Sequence, residues 1–219
     1  MINLGNQLYF LGDAIDRGNN NIKCMIELLS HPRITYLKGN HEDMFLNWWN
    51  YKDELYNDYA QLWIQNGGNK TFQELNELSK EEQEKLIYNL KKKLVNYVFM
   101  DLEDKRVFLC HAGCNPQDID NIINQYNIYN LIWNRKHIEV EWPIYDQYNN
   151  IYIVHGHTPV QHFQFNNQLE VMKYANGHKF NIDMGCFDSG FAAVIDIDTI
   201  GTNNINIKYF NEKGVIRHA

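Results

Sequence analysis

A chain of 219 residues with 44% hydrophobic and 14% aromatic side chains can bury a sizeable core, and its composition excludes the disordered and fibrous classes. Acidic residues outnumber basic ones by 27 to 20, and the basic side chains cluster only at Lys91 to Lys93, which argues against a protein that tracks nucleic-acid backbones. No apolar run is long enough to span a bilayer and no basic-flanked apolar leader opens the chain, so the expectation is a cytoplasmic protein without membrane attachment. Cys24, Cys110, Cys114 and Cys186 show no CxxC spacing and are read as reduced thiols. No Pro/Gly/Ser-rich linker divides the sequence, and a single domain over residues 1–219 is the default.

The apolar run Leu8 to Leu11 predicts a buried strand closed by Gly12, which delivers "GDAIDRG" at the strand's C-terminal edge, where open α/β sheets gather their ligands. "NIKCMIELLS" has helical apolar spacing, and "RITYLKGNHE" predicts a second short strand ending in a Gly-marked loop. From Glu42 to about Leu94 helical signals dominate, as in "EDMFLNWWNY", "AQLWIQNGG" and "SKEEQEKLIYNLKKKL". In the last of these Ser79 and Glu82 form a capping box, and the whole stretch reads as a helical insert over about 42–94. "VNYVFMDLEDKRVFLCHAGC" predicts a hairpin turning at "EDK", its second strand ending at His111. "NIYIVHGHTPV" repeats the pattern, a strand from Ile151 to Val154 followed by a His/Gly loop closed by Pro159. β-like segments then recur around "KFNIDMGC", "FAAVIDID" and "INIKYF". Mixed α/β first and mostly β later implies an α/β (α+β) fold of two packed sheets with helices outside.

Four loops at strand ends thus present "GDAIDRG", "GNHE", "HAG" and "HGHT". A lone Asp after a strand is usually a helix cap, and a lone His is usually a packing residue. Four such loops in series instead offer the Asp, Asn and His donors that a hard-to-borderline divalent cation takes.

In these motifs, and in their order from Leu8 to about Asp196, the chain resembles the calcineurin-like metallophosphoesterases. The likeness is to the phosphoprotein-phosphatase branch, which holds bacterial and phage serine/threonine phosphatases and diadenosine tetraphosphatases. The resemblance implies a central β-sandwich of two mixed sheets flanked by helices, with a dinuclear metal centre at the sheet edge. It also implies that Asp13 bridges two metals, that Asn40, His111 and His157 complete the second metal's ligands, and that the metal is manganese, with zinc or iron as alternatives. Arg17 and Arg135 would clamp phosphoryl oxygens, His41 would protonate the leaving alkoxide, and Asp16 would orient the His41 imidazole and raise its pKa. His155 reads as a packing residue before it reads as a ligand. The implied reaction is in-line attack of a metal-bound hydroxide on a phosphate monoester. The substrate would be a phosphorylated protein, as for a serine/threonine protein phosphatase, or a small phosphoester; a dinucleoside polyphosphate hydrolase is the alternative. Lys38 stands before "GNHE" where many members carry Arg, so clamping at that position is expected to be looser.

The resemblance breaks at the start. Family members open with a strand bearing an Asp-x-His pair for the first metal, whereas twelve residues precede Asp13 here and "MINLGNQLYFLG" holds no such pair. The expectation is a chain that binds one divalent metal tightly where the full family site binds two, with much of the rate lost. A catalytically weakened binding domain is the corresponding reading from outside the enzymes.

Overall fold

Two short parallel strands joined through a helix begin the fold. The computed structural model describes residues 6–54, 58–125, 128–140, 142–143, 146–163 and 169–218. Residues 1–5 of the opening segment and residues 55–57 of the expected helical insert therefore lie outside the described residues. The chain divides into two units, Ile2–Val95 and Asn96–Ala219.

In the first unit, β1 (Leu8–Phe10) pairs in parallel with β2 (Ile34–Tyr36), Leu8 opposite Ile34 and Phe10 opposite Tyr36, and α1 (Asn21–Ser30) makes the crossover. Ile22, Met25, Leu28 and Leu29 of α1 recur at helical spacing and are buried. Asn20 gives α1 no side-chain cap; Glu74 accepts instead from Ile22 N (2.9 Å) and Asn21 Nδ2 (2.9 Å) at the helix N-terminus. Helices α2 (Asn40–Tyr51), α3 (Asp58–Gln65), α4 (Asn69–Asn76) and α5 (Lys80–Lys93) follow. The α5 N-terminus carries the expected box, Ser79 accepting from Glu82 N and Glu82 from Ser79 N. Three lysines end the helix, where cations suit its dipole. Beyond α5 the chain returns to β2, with Val95 N bonded to Tyr36 O and Lys38 N to Val95 O.

In the second unit, β3 (Tyr97–Asp101) and β4 (Arg106–Cys110) form the expected hairpin. Helices α6 (Ile119–Gln125) and α7 (Tyr129–Trp133) lead to β5 (Ile151–His155), parallel to β4. Strands β6 (Met172–Tyr174) and β7 (Lys179–Asn181) complete a mixed sheet of order β3-β4-β5-β7-β6. After the short α8 (Cys186–Ser189), strands β8 (Ala192–Ile195), β9 (Ile207–Asn211) and β10 (Gly214–His218) form an antiparallel sheet. Phe108, Ile153 and Phe180 are fully buried on the central strands of the mixed sheet. Burial on both faces explains why β4 reads as an unbroken apolar run, not as an alternating one.

The α/β class is that of the sequence reading. Of its two mixed sheets, one is mixed; the other sheets among the described residues are purely antiparallel or purely parallel. A second difference is local: "GNHE" does not lie in a loop, because α2 begins at Asn40. Glu42 reaches back to accept from Gly39 N, fixing the helix start one residue after the glycine. All four cysteines are free thiols. Among the described residues no helix is long and apolar enough to cross a membrane.

Candidate functional site

The first unit gathers five of the sequence-predicted residues at the C-terminal ends of β1 and β2. Parallel pairing puts both strand ends on one edge, so the loop after β1 and the start of α2 become neighbours. Glu42 joins them. Fully buried, it accepts from Asp13 N, Ala14 N and Gly39 N, each at 2.8 Å, and from the Tyr36 hydroxyl at 2.7 Å. A Cβ at position 39 would collide with Asp13 Oδ1, which is why glycine stands there. Asp13, Asp16 and Arg17 all have left-handed backbone (φ 59, 76 and 62°), a costly run for residues other than glycine. Arg17 N donates to Gly67 O at 3.0 Å, in the turn between α3 and α4, and so fixes part of that loop.

His41 lies at the second position of α2, its N–H donating to Asp13 Oδ1 at 3.1 Å. Its Nδ1 meets Asp16 Oδ2 at 2.7 Å and its Nε2 meets Arg17 Nη2 at 3.2 Å. Guanidinium can only donate, so this geometry assigns the Nδ1 proton to the Asp16 bond and leaves Nε2 as acceptor. Burial disfavours the imidazolium, but the Asp16 hydrogen bond and the charges of Asp13 and Asp16 outweigh it and raise the His41 pKa, with Arg17 opposing. Turning Arg17 away from Nε2 is therefore what allows that nitrogen to carry a proton. Asn40, the first residue of α2, is buried beside them in sequence. Lys38 donates to Asp43 Oδ1 at 2.9 Å, so its ammonium is tied to the first turn of α2.

The second unit repeats the arrangement with histidines. His111 follows β4 and His157 follows β5, again adjacent parallel strands, and Gly156 N donates to His111 O at 2.8 Å. His111 Nε2 lies 3.2 Å from His157 Nδ1, and both side chains are buried. A hydrogen bond at that distance needs one ring to donate and the other to accept. Arg135 donates from Nη1 to Thr158 Oγ1 at 3.0 Å, next to His157 in the chain. His155 has both nitrogens engaged, Nδ1 at 3.0 Å from Gly156 O and Nε2 at 2.7 Å from the Tyr174 hydroxyl. That agrees with a packing role.

Three residues of the site carry no role in the sequence reading. Glu42 stands in a quoted motif, but nothing local shows that it spans two loops. Trp63 and Thr71, on α3 and α4, both bond the Asp16 carboxylate. A tryptophan and a threonine on amphipathic helices look like core; the one sequence signal is the "NGG" turn between them, whose glycine breaks two helices that could otherwise fuse.

A family model described as calcineurin-like phosphoesterase matches residues 2–187. The chain is also similar to proteins named bis(5'-nucleosyl)-tetraphosphatase PrpE (asymmetrical). Those of Bacillus cereus (strain AH187) and Bacillus thuringiensis subsp. konkukian (strain 97-27) are 28% identical over 202 residues, covering 84% of this chain and 72% of the relative. That of Bacillus anthracis (strain CDC 684 / NRRL 3495) is 27% identical over the same shares.

Proposed function

The chain belongs to the calcineurin-like phosphoesterase family, a phosphoesterase hydrolase fold that implies divalent metal ions, and from that premise we propose that it hydrolyses dinucleoside polyphosphates. The names of its relatives support that substrate class ahead of the phosphorylated protein that the motifs alone put first. The observation that carries the hydrolytic reading is the chain Arg17–His41–Asp16 at the C-terminal edge of parallel strands.

Asp13, Asn40, His111 and His157 act as metal ligands in this proposal. A carboxylate, an amide oxygen and two imidazoles fit manganese, with zinc or iron as alternatives. Bound there, a divalent metal lowers the pKa of water and neutralises charge developing on phosphoryl oxygens. The protein's own groups do the rest. Arg17 and Arg135 offer planar guanidinium forks to phosphoryl oxygens, Arg135 steadied by Thr158. Once a phosphoryl oxygen draws Arg17 off Nε2, His41 can hold a proton there and pass it to the leaving oxygen, while Asp16 keeps the ring oriented through Nδ1. Residues 1–219 act as one catalytic domain, with the helices of 42–94 steering substrate choice. Action away from nucleic acid belongs to the same reading and is supported by the formal charge of −7.

The test is hydrolysis by purified protein supplied in turn with manganese, zinc and iron(II). Diadenosine tetraphosphate should be turned over with kcat/KM at least about tenfold above a phosphoserine peptide. The reverse order would return the phosphoprotein reading, and no metal-stimulated turnover of either substrate would end both. His157→Ala should lose bound metal, whereas His41→Asn should retain it and lose turnover; loss of metal from the latter would assign His41 the wrong role.

A further inference from the structure

We propose that Trp63 and Thr71, one on each helix of the α3–α4 pair, are positioning residues that lock the Asp16 carboxylate so that it holds the His41 ring in one orientation. The inference rests on the proposed role of His41 and adds to it two residues outside the four motif loops.

A carboxylate on its own rotates readily about its last torsion, and Asp16 presents only one oxygen, Oδ2, to His41 Nδ1. Rotation would take that oxygen off the ring. Three contacts prevent it. Trp63 Nε1 sits 3.1 Å from Oδ1 and 3.0 Å from Oδ2, straddling the carboxylate and fixing its plane. The Thr71 hydroxyl donates to Oδ1 at 2.6 Å, which settles which oxygen is left for histidine. The same hydroxyl accepts from Asp16 N at 3.1 Å, so its proton is committed to the carboxylate. Asp16, Trp63 and Thr71 are all buried, and no competing solvent is needed to satisfy the cluster. Trp63 is itself immobilised between Phe45 (ring centroids 5.2 Å) and Trp48 (4.7 Å).

Burial of a tryptophan and a threonine needs none of this convergence. Each could satisfy its polar group on a helix carbonyl or at the surface; instead both spend it on the one carboxylate that reaches the imidazole. Geometry of that kind matters to proton transfer, where small misplacements cost large factors in rate.

Thr71→Val and Trp63→Phe remove the donor and keep most of the volume. In the metal-loaded enzyme each should lower kcat on phenyl phosphate by about tenfold or more with KM nearly unchanged, because the phenolate leaving group needs a proton. The loss on p-nitrophenyl phosphate should be several-fold smaller, and His41→Asn should show the same contrast. Thr71→Ser should restore the wild-type pattern. A second readout does not depend on turnover: in the zinc-loaded, diamagnetic protein, the hydrogen-bonded Nδ1 proton of His41, assigned by its absence in His41→Asn, should move or vanish in Thr71→Val. Equal fractional losses on both esters, or an unmoved Nδ1 proton, would overturn the lock. If wild-type protein hydrolyses neither ester, the hydrolytic reading is decided by diadenosine tetraphosphate and the phosphoserine peptide as above, and the proton resonance decides whether Thr71 and Trp63 hold the dyad.

Discussion

Replacing Glu42 by Gln tests how much of the first unit depends on one buried side chain. The two residues have the same shape, so packing is preserved and only the hydrogen-bonding pattern changes. Glu42 Oε2 accepts from Asp13 N and Gly39 N, and Oε1 accepts from Ala14 N and the Tyr36 hydroxyl. A glutamine amide nitrogen in the Oε2 position would face two backbone donors, so it should take the Oε1 position. There the Tyr36 hydroxyl can reverse and accept, but Ala14 N is orphaned at a cost of about 1–3 kcal/mol. The bonds from Asp13 N and Gly39 N also lose charge assistance, roughly 1 kcal/mol each, and about 1 kcal/mol returns because an amide is cheaper to bury than a carboxylate. The expected net loss is about 2–4 kcal/mol, a large share of the ~5–15 kcal/mol typical of a domain. Urea denaturation followed by tryptophan fluorescence measures it, since Trp48, Trp49 and Trp63 lie in the same unit. Tyr36→Phe is the control. Burial first, and Glu42 second, push the Tyr36 pKa well up, so the phenol stays protonated and donates to the carboxylate, and deleting that one charge-assisted bond should cost about 1.5–3 kcal/mol. A loss below about 1 kcal/mol for Glu42→Gln would show that the two loops hold their conformation without the carboxylate.

Gly67 has φ +102°, and a Cβ there would lie 2.6 Å from Arg17 Cγ; Gly67→Ala should cost about 1–3 kcal/mol and raise KM through a displaced Arg17, with an unchanged KM counting against that link. Arg135→Lys should raise KM several-fold at little cost to folding, because an ammonium cannot both bond Thr158 and present a planar fork; steady-state kinetics beside a melting curve separates the two effects. Acid should destabilise the second unit through two histidines: burial chiefly depresses His137 to about 2 and His155 to about 3, with the Lys179 charge adding to both. In the unfolded chain they bind protons near pH 6.5, so their contribution is complete above that value and falls as pH drops towards the folded pKa values, by about 1.4 kcal/mol per pH unit for each histidine. Urea midpoints at about pH 7.5 and about pH 5 should differ accordingly, and His137→Asn should remove one histidine's share of the slope. Coincident midpoints would mean that these rings protonate in the folded state.

Elements whose apolar spacing is set within ten or twelve residues were readable from the chain: β1, α1, β2, the β3–β4 hairpin and the Ser79–Glu82 cap all lie where spacing and turn residues put them. The segment between β4 and β5 was not, because α6 and α7 are short and Asn-rich and carry little periodic signal. The start of α2 reads as loop because Gly39 and Asn40 are turn residues by type, whereas in the structure the glycine makes room for Asp13 Oδ1 and the helix begins at Asn40. Asp16, Arg17 and His41 could be picked out by motif, and in the structure they touch one another. Trp63 and Thr71 reach Asp16 across 47 and 55 residues of sequence, and no local pattern encodes a hydrogen bond over such a separation.

The turn between α3 and α4 has a bearing on how this protein could be re-engineered. Within nine residues, Trp63, Gly67 and Thr71 each reach the "GDAIDRG" loop, by indole N–H, by carbonyl and by hydroxyl. A chimaera that imports a different helical insert to change substrate preference would have to bring an equivalent indole, an equivalent left-handed glycine and an equivalent hydroxyl, in register. Grafts cut outside 58–76 leave that triplet intact; grafts cut inside it would remove the hydrogen bonds that hold the Asp16 carboxylate and the Arg17 backbone.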